Sequence, residues 1–179
     1  MIATDRLILR QWTEADRAPF AAMHADPEVM HDFPAPLTRM ESDAKLDRYM
    51  RHIAELSFGK WAVERRDDGA FLGYVGVATI FPELPVYPGL EIGWRLTRAA
   101  WGAGYASEAA RASLIDAFTK SDAPEVLSFA MASNARSVAV MHRLGLKRDA
   151  ARDYVHPNGV SGPFVVYAAE GSKWRRRAF

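Results

Sequence analysis

A short segment with the sequence WGAGYAS, residues 101–107, has the residue types and spacing that best suit ligand binding. Gly102 and Gly104 precede an alanine-rich run with helical spacing, although glycine in a helix costs about 1 kcal/mol relative to alanine. The first amide groups of a helix lack partners within it and lie at the positive end of its dipole. Glycine also lets a ligand approach the backbone closely. The segment therefore predicts an anion site that fits phosphate.

Two common phosphate-binding motifs are absent around this segment. The pattern GxxxxGK[ST] of P-loop nucleotide hydrolases does not occur, and the third glycine of the dinucleotide-binding motif GxGxxG is missing. A nucleotide-binding oxidoreductase is therefore disfavoured. The two glycines alone also fit a second interpretation, a tight turn that only lets a helix pack closely against a strand.

Two side chains are candidates for proton removal. Glu91 lies among apolar residues on the expected strand before the glycine segment, which suits a general base. A carboxylate at a strand edge that faces solvent or pairs with an arginine is the alternative. Histidine as a residue type titrates near neutrality, so His156 also suits a general base. An exposed loop residue before Pro157 is the alternative. The remaining histidines lack metal-ligand spacing and are expected at the surface; they are His24, His31, His52 and His142.

The elements that must position these residues follow from hydrophobic periodicity and turn residues. Strands are expected at residues 6–13, 60–66, 71–81, 90–96 and 125–131, and helices at residues 13–24, 38–56, 105–119 and 134–144. Gly59 is expected to end the second helix, and two further strands after Lys147 to flank a turn at Pro157, Asn158 and Gly159. The basic end, residues 173–177, is expected to be a solvated tail. The order predicts an α/β or α+β fold with a mixed sheet, as one domain over residues 1–179.

Composition narrows the class of protein. The chain has 179 residues, 49% of them hydrophobic, with a net charge of +1 and no cysteine. This balance predicts a globular protein without general affinity for nucleic acid or anionic membrane, and without a thiolate metal site. No apolar run suits a signal peptide or a membrane span, so a cytoplasmic location is expected.

Three segments in order resemble the GCN5-related N-acetyltransferase (GNAT) family. They are TDRLILRQWTEAD at residues 4–16, EIGWRLTRAAWGAGYASEA at residues 91–109, and Asn134 and Ser137 followed by Leu144, Gly145 and Leu146. The Trp-Gly-x-Gly-Tyr-Ala form is similar to the branch of ribosomal-protein N-terminal acetyltransferases, although Trp101 replaces the usual Gln or Arg. The resemblance implies a mixed, mostly antiparallel, splayed central sheet with helices on both faces.

The resemblance also implies acetyl-coenzyme A as the donor and a direct attack by a primary amine. Amides of residues 102–106 would hold the pyrophosphate, Leu96 and Thr97 would pair with the pantetheine arm, and Asn134 would bond the arm near its thiol. The implied cofactor-binding residues are Leu96, Thr97, Trp101, Gly102, Ala103, Gly104, Tyr105, Ala106, Ser107, Asn134 and Ser137.

The catalytic acid and the acceptor remain open at this point. Ser137 aligns with a serine of the N-terminal acetyltransferase branch that is proposed to donate a proton to the leaving thiolate. Alternatively, Ser137 caps its helix or only contacts the cofactor. Met141 replaces the tyrosine acid of many members, with Tyr154 a distant substitute. The acceptor is a protein or peptide N-terminal α-amine, or a small amine, amino acid or antibiotic-like molecule. A non-catalytic coenzyme A sensor is a further alternative, and the family allows a homodimer.

Overall fold

The computed structural model describes residues 1–157 and 162–176. The helices of this part are α1 (Arg17–Ala25), α2 (Arg39–Leu56), α3 (Tyr105–Lys120), α4 (Ala135–Leu144) and α5 (Gly171–Arg175). The strands are β1 (Ile2–Ala3), β2 (Leu7–Arg10), β3 (Lys60–Arg65), β4 (Phe71–Thr79), β5 (Leu90–Leu96), β6 (Glu125–Met131), β7 (Lys147–Arg148), β8 (Tyr154–Val155) and β9 (Pro163–Glu170). No helix in this part combines the length and apolar character needed to cross a bilayer.

The described strands form one sheet in the order β1-β2-β3-β4-β5-β6-β9-β7, with β8 also paired to β9. Neighbouring strands are antiparallel except β5 and β6, which are parallel. The register joins β5 to β6 only at Glu91 opposite Leu127, whereas β6 pairs with β9 from Glu125 to Met131. The sheet therefore opens between β5 and β6, which confirms the expected mixed, mostly antiparallel and splayed sheet.

Helices cover both faces of the sheet. Tyr74 of β4 packs against Phe20 of α1 and Tyr49 of α2, with ring centroids 5.8 and 5.2 Å away. Trp61 of β3 lies opposite the residue after Tyr74 and therefore on the other face. The ammonium group of Lys120, at the end of α3, lies 5.8 Å from the Trp61 ring. The expected arrangement of helices on both faces is confirmed.

The limits of α2 show where local sequence signals succeed and fail. Thr38 caps its N-terminus by accepting a hydrogen bond from the Glu41 amide, and the Glu41 carboxylate accepts one from the Thr38 amide. The helix ends at Ser57, with φ of 63°, and not at Gly59 as expected. Gly59 serves close packing instead, because a Cβ there would lie 2.4 Å from Cγ1 of Ile53.

The first helical segment begins with a single 3-10 turn, Glu14–Asp16, before α1 starts at Arg17. The Asp16 carboxylate accepts hydrogen bonds from the amide and hydroxyl of Thr13 at 2.8 and 2.9 Å. The same carboxylate accepts hydrogen bonds from both terminal nitrogens of Arg10, at 2.7 and 2.9 Å. The helical segment expected from Thr13 therefore begins there, with the capping box of Thr13 and Asp16 and a 3-10 first turn.

The C-terminal segment contains a helix that was not predicted from the sequence. In α5, Trp174 is 2% exposed, and Lys173 forms a 2.8 Å ion pair with Glu170. The prediction of a solvated tail is therefore wrong as far as Arg176. The free energy gained by burying Trp174 holds this segment against the protein despite its charged neighbours. Asn158 and Gly159 of the expected turn lie outside the described residues.

Candidate active site

The site is built around the opening between β5 and β6. In an antiparallel pair, alternate residues direct their amide and carbonyl groups toward the partner strand. The Thr97 amide donates to the Leu72 carbonyl at the β4 side, at 2.9 Å. The amides of Trp94 and Leu96 therefore point away from β4 and into the opening, where the register pairs neither residue with β6. This edge of β5 presents two backbone donors.

The glycine turn lies at the wide end of the same opening. Gly102 and Gly104 adopt left-handed φ values of 77° and 83°, and Gly104 caps α3. In the described chain, the amides of residues 102–107 donate to no protein acceptor, and the Ser107 hydroxyl is buried without a partner. A Cβ at Gly102 would meet no atom within 4 Å. The turn therefore offers an open, concave set of donors that suits an anion.

Arg6, just before β2, supports this turn, a role that no sequence signal indicated. Its Nη1 donates to the Ala103 carbonyl at 3.0 Å, and its Nε donates to the Glu108 carboxylate at 2.7 Å. Burial raises the pKa of Glu108, but hydrogen bonds from Thr4 and Arg6 outweigh it and lower that pKa overall. Arg6 thereby balances an acidic side chain that would otherwise oppose an anion at the start of α3.

Trp101 connects the turn to β5. Its Nε1 donates to the Leu96 carbonyl at 2.9 Å, and the guanidinium of Arg136 lies 3.8 Å from its ring centroid. The Leu96 carbonyl and the Thr97 amide are therefore both occupied within the protein. On this part of β5, the Leu96 amide is the backbone group that remains directed at the opening.

Asn134 borders the opening from the β6 side. Its Oδ1 accepts a hydrogen bond from the Ser137 amide at 3.0 Å and caps α4. Its Nδ2 donates to Asp32 at 2.9 Å, and Asp32 also forms a 3.4 Å ion pair with Arg95. The capping function considered for Ser137 thus belongs to Asn134.

Two cavities meet at this opening. The wider one, about 620 Å³, includes all the expected cofactor residues except Thr97 in its lining. The second, about 350 Å³, extends toward α2 and the loop after β4. Asp32, Trp94, Arg95 and Ser137 line both. A ligand in the wider cleft would therefore reach the smaller cavity beside Ser137.

Both candidate bases line the smaller cavity. Glu91 forms a 3.0 Å ion pair with Lys60, whose side chain is 5% exposed. His156 lies against Phe164, with ring centroids 5.1 Å apart. Glu91 is therefore neither a solvent-facing carboxylate nor an arginine partner, and its ion pair with a buried lysine was not expected.

The two alternative acids are placed differently. Met141 is 1% exposed and lines the smaller cavity with a thioether that has no proton to donate. Tyr154 is buried, its hydroxyl has no partner in the described chain, and burial raises its pKa. Tyr154 does not line either cavity, whereas Ser137 lines both.

The smaller cavity also contains residues that carried no sequence signal. Lys45 and Tyr49 come from α2, Tyr74 from β4, and Phe33 from the segment before α2. In the sequence they look like ordinary surface and core residues of amphipathic elements. No group of His, Cys, Asp and Glu in the described residues could hold a metal ion.

Comparison with known proteins identifies the family. The sequence profile described as Acetyltransferase (GNAT) domain matches residues 6–147. The uncharacterized protein YkkB of Bacillus subtilis (strain 168) is 27% identical over 146 residues, 81% of this chain and 84% of YkkB. A solved acetyltransferase from Agrobacterium tumefaciens str. C58 superimposes with a TM-score of 0.79 and 24% identity, covering 94% of this chain and 93% of its own.

Two further similar structures contain coenzyme A. Spermidine N-acetyltransferase from Vibrio cholerae, in complex with coenzyme A and spermine, has a TM-score of 0.74 at 17% identity, with 96% and 99% coverage of the two chains. RimL, a ribosomal L7/L12 alpha-N-protein acetyltransferase in complex with coenzyme A, has a TM-score of 0.73 at 16% identity, with 93% and 95% coverage. Because the profile spans most of the chain, this protein belongs to the GNAT acetyltransferase family.

Proposed function

We propose that this protein transfers the acetyl group of acetyl-coenzyme A to a primary amine by direct attack. The observation that carries the proposal is the row of unpartnered amides at residues 102–107, which opens onto the gap between β5 and β6. The buried, unpartnered Ser107 hydroxyl and the open space at Gly102 fit a diphosphate at this turn. The coenzyme A complexes of two proteins of the same fold support the same ligand.

Acetyl-coenzyme A would supply a thioester whose carbonyl carbon accepts the amine. The amides of residues 102–106 would hold its pyrophosphate, and the Leu96 amide would hold its arm. Donors aimed at the developing negative charge of a carbonyl oxygen typically contribute about 3–4 kcal/mol to catalysis. The Trp94 and Leu96 amides point into the opening and are suited to this function.

Proton transfer would occur where the two cavities meet. We assign Glu91 as the general base, with His156 as the competing candidate, because both line the smaller cavity. Ser137 lines both cavities and would donate the proton to the leaving thiolate. An α-amino group, with a pKa of about 8, is about a tenth neutral at pH 7 and needs only a modest base.

Different observations support a protein N-terminal amine, a small amine, and no acceptor at all. The coenzyme A complex of RimL and the Trp-Gly-x-Gly-Tyr-Ala motif favour a protein N-terminal amine. The polyamine complex of the Vibrio enzyme shows that the same fold also accepts small amines. Met141 favours a third candidate, a coenzyme A sensor without turnover, because a thioether cannot replace the usual tyrosine acid.

A thiol-release assay tests the proposed function. The chain has no cysteine, so free thiol formed from acetyl-coenzyme A is measured without background from the protein. We expect release that depends on an added amine from a panel of N-terminal peptides, amino acids and polyamines. Tight coenzyme A binding without release for any acceptor would identify a sensor, and failure to bind coenzyme A would remove the basis of both functions.

A further inference from the structure

The smaller cavity has an excess of positive charge. Its cationic lining residues are Lys45, Arg48, Lys60 and Arg95, and its carboxylates are Asp32 and Glu91. Enzymes that bind polycationic amines need the opposite balance, because a cation entering a positive cavity is repelled in a medium of low dielectric constant. The lining therefore does not match a polyamine.

The ion pairs of the described chain do not include Lys45. Lys60 pairs with Glu91 at 3.0 Å, and Arg95 pairs with Asp32 at 3.4 Å. No carboxylate in the described chain lies within 4.0 Å of the half-buried Lys45 ammonium. A partly buried cation without an opposite charge is costly, so such a group usually has a partner when the site is occupied.

Lys45 and Arg95 flank the same aromatic surface. The Lys45 ammonium lies 5.6 Å from the Phe33 ring centroid and 5.7 Å from that of Tyr74. The Arg95 guanidinium lies 4.1 Å from the Phe33 centroid. Tyr74 and Arg95 are also opposite each other in the β4–β5 register. The two cations therefore border one aromatic compartment of the cavity.

The pKa of Tyr74 is consistent with a positive potential in this compartment. Burial lowers the pKa of Lys45, and the opposing contribution of the Tyr74 hydroxyl does not cancel it. Burial alone would raise the pKa of Tyr74, but the charges of Lys45 and Arg95 outweigh it and lower that pKa. The shift of Tyr74 has the direction expected beside positive charge, and that of Lys45 has the direction expected from burial.

We propose that the acceptor carries a negatively charged oxyanion group, a carboxylate or a phosphate, in addition to its amine, and that Lys45 binds it beside the positive charge of Arg95. Lys45 supplies a point charge, and Arg95, whose Nη2 pairs with Asp32 and whose Nη1 contacts the Met30 sulfur, adds positive potential beside it. Phe33 and Tyr74 provide apolar surface for the part of the acceptor that joins its two ends. The inference rests on the proposed acetyl transfer, because it concerns the acceptor of that reaction.

Ligand binding by the whole chain, with and without saturating coenzyme A, tests the proposal. The probes are phenylacetate and benzylphosphonate, which carry the two oxyanions, and phenethylamine, which carries a cation on a similar scaffold. We expect at least one anion to bind more tightly than phenethylamine, and the tighter of the two identifies the oxyanion. Calorimetry gives the dissociation constants.

Variants assign the binding to Lys45. Lys45→Met should weaken anion binding by about 10- to 100-fold, the equivalent of one charge-assisted hydrogen bond. Lys45→Arg should retain most of it. Lys147→Met, at an exposed position on β7, is the matched control and should bind as wild type does.

Two results would overturn the proposal. They are phenethylamine binding at least as tightly as both anions, and anion binding that is unchanged in Lys45→Met. Melting temperatures of the variants establish that each is folded. Failure of the thiol-release assay with intact anion binding would count against acetyl transfer only, so the two proposals fail separately.

Discussion

Glu91 of β5 lies opposite Leu127 of β6 at the single position where the register joins these parallel strands. Beyond this pair the strands separate, and the amides of Trp94 and Leu96 are left directed into the gap. The candidate base therefore lies at the closed end of the opening, and the glycine turn lies at its wide end. In acetyl-coenzyme A the diphosphate and the thioester lie at opposite ends of the pantetheine arm. The order of the glycine turn and Glu91 along the opening matches the order of these two groups.

Replacing Gly104 tests the anion site. Gly104→Val should weaken coenzyme A binding by at least about tenfold, because a branched side chain at a φ of 83° displaces the amides that face the ligand. Gly69→Val is the matched control, since Gly69 has a φ of 70°, a Cβ there meets no atom within 4 Å, and it lies in the β3–β4 hairpin. Both variants carry similar backbone strain, of about 1–2 kcal/mol. Equal coenzyme A affinity in the two variants, measured by calorimetry, would contradict the site.

Replacing Glu91 tests the general base. Glu91→Gln should lower kcat at pH 7 by about 10²- to 10⁴-fold while coenzyme A affinity changes little. Lys60→Met is the control, because it breaks the same ion pair but keeps the carboxylate. A full rate in Glu91→Gln with a loss in His156→Ala would move the base to His156. If both keep their rate, proton removal proceeds through water or another group.

His24 predicts a pH dependence of stability. It is 0% exposed, its Nδ1 contacts the Phe20 carbonyl at 3.0 Å, and its Nε2 has no partner in the described chain. The surface position expected for it is therefore wrong. Burial, with the charges of Lys45 and Arg95, lowers the pKa of His24 from 6.5 to about 3.

The sign of the effect follows from proton binding. Between pH 6.5 and about 3 the unfolded chain binds a proton that the folded protein does not, so stability falls as pH falls. The slope attributable to His24 approaches about 1.4 kcal/mol per pH unit. His24→Leu should flatten the urea-unfolding free energy between pH 6.5 and 4, and His31→Leu, at an exposed position, should not. Parallel curves for wild type and His24→Leu would be inconsistent with a neutral buried imidazole.

Features set by neighbours in the chain were predictable from the sequence. The glycine turn and the start of α3 follow from residues 101–107, because left-handed φ values and unpartnered helix amides are local properties. The bounds of β6, Glu125–Met131, were predicted as they are observed, and so was the end of α4 at Leu144. The order of motifs along the chain was sufficient to indicate the GNAT family.

What surrounds the reacting groups was decided by tertiary structure alone. Asp32 and Asn134 are 102 residues apart and meet through a 2.9 Å hydrogen bond. Lys45 looks like a surface lysine on α2 until the fold places it beside Phe33 and Arg95, without a carboxylate in the described chain. Burial and the sign of the local potential are sums over neighbours that are distant in sequence, so no local pattern encodes them. The sequence by itself determined the glycine turn and the helix that follows it, and only the folded chain determined which charges line the smaller cavity.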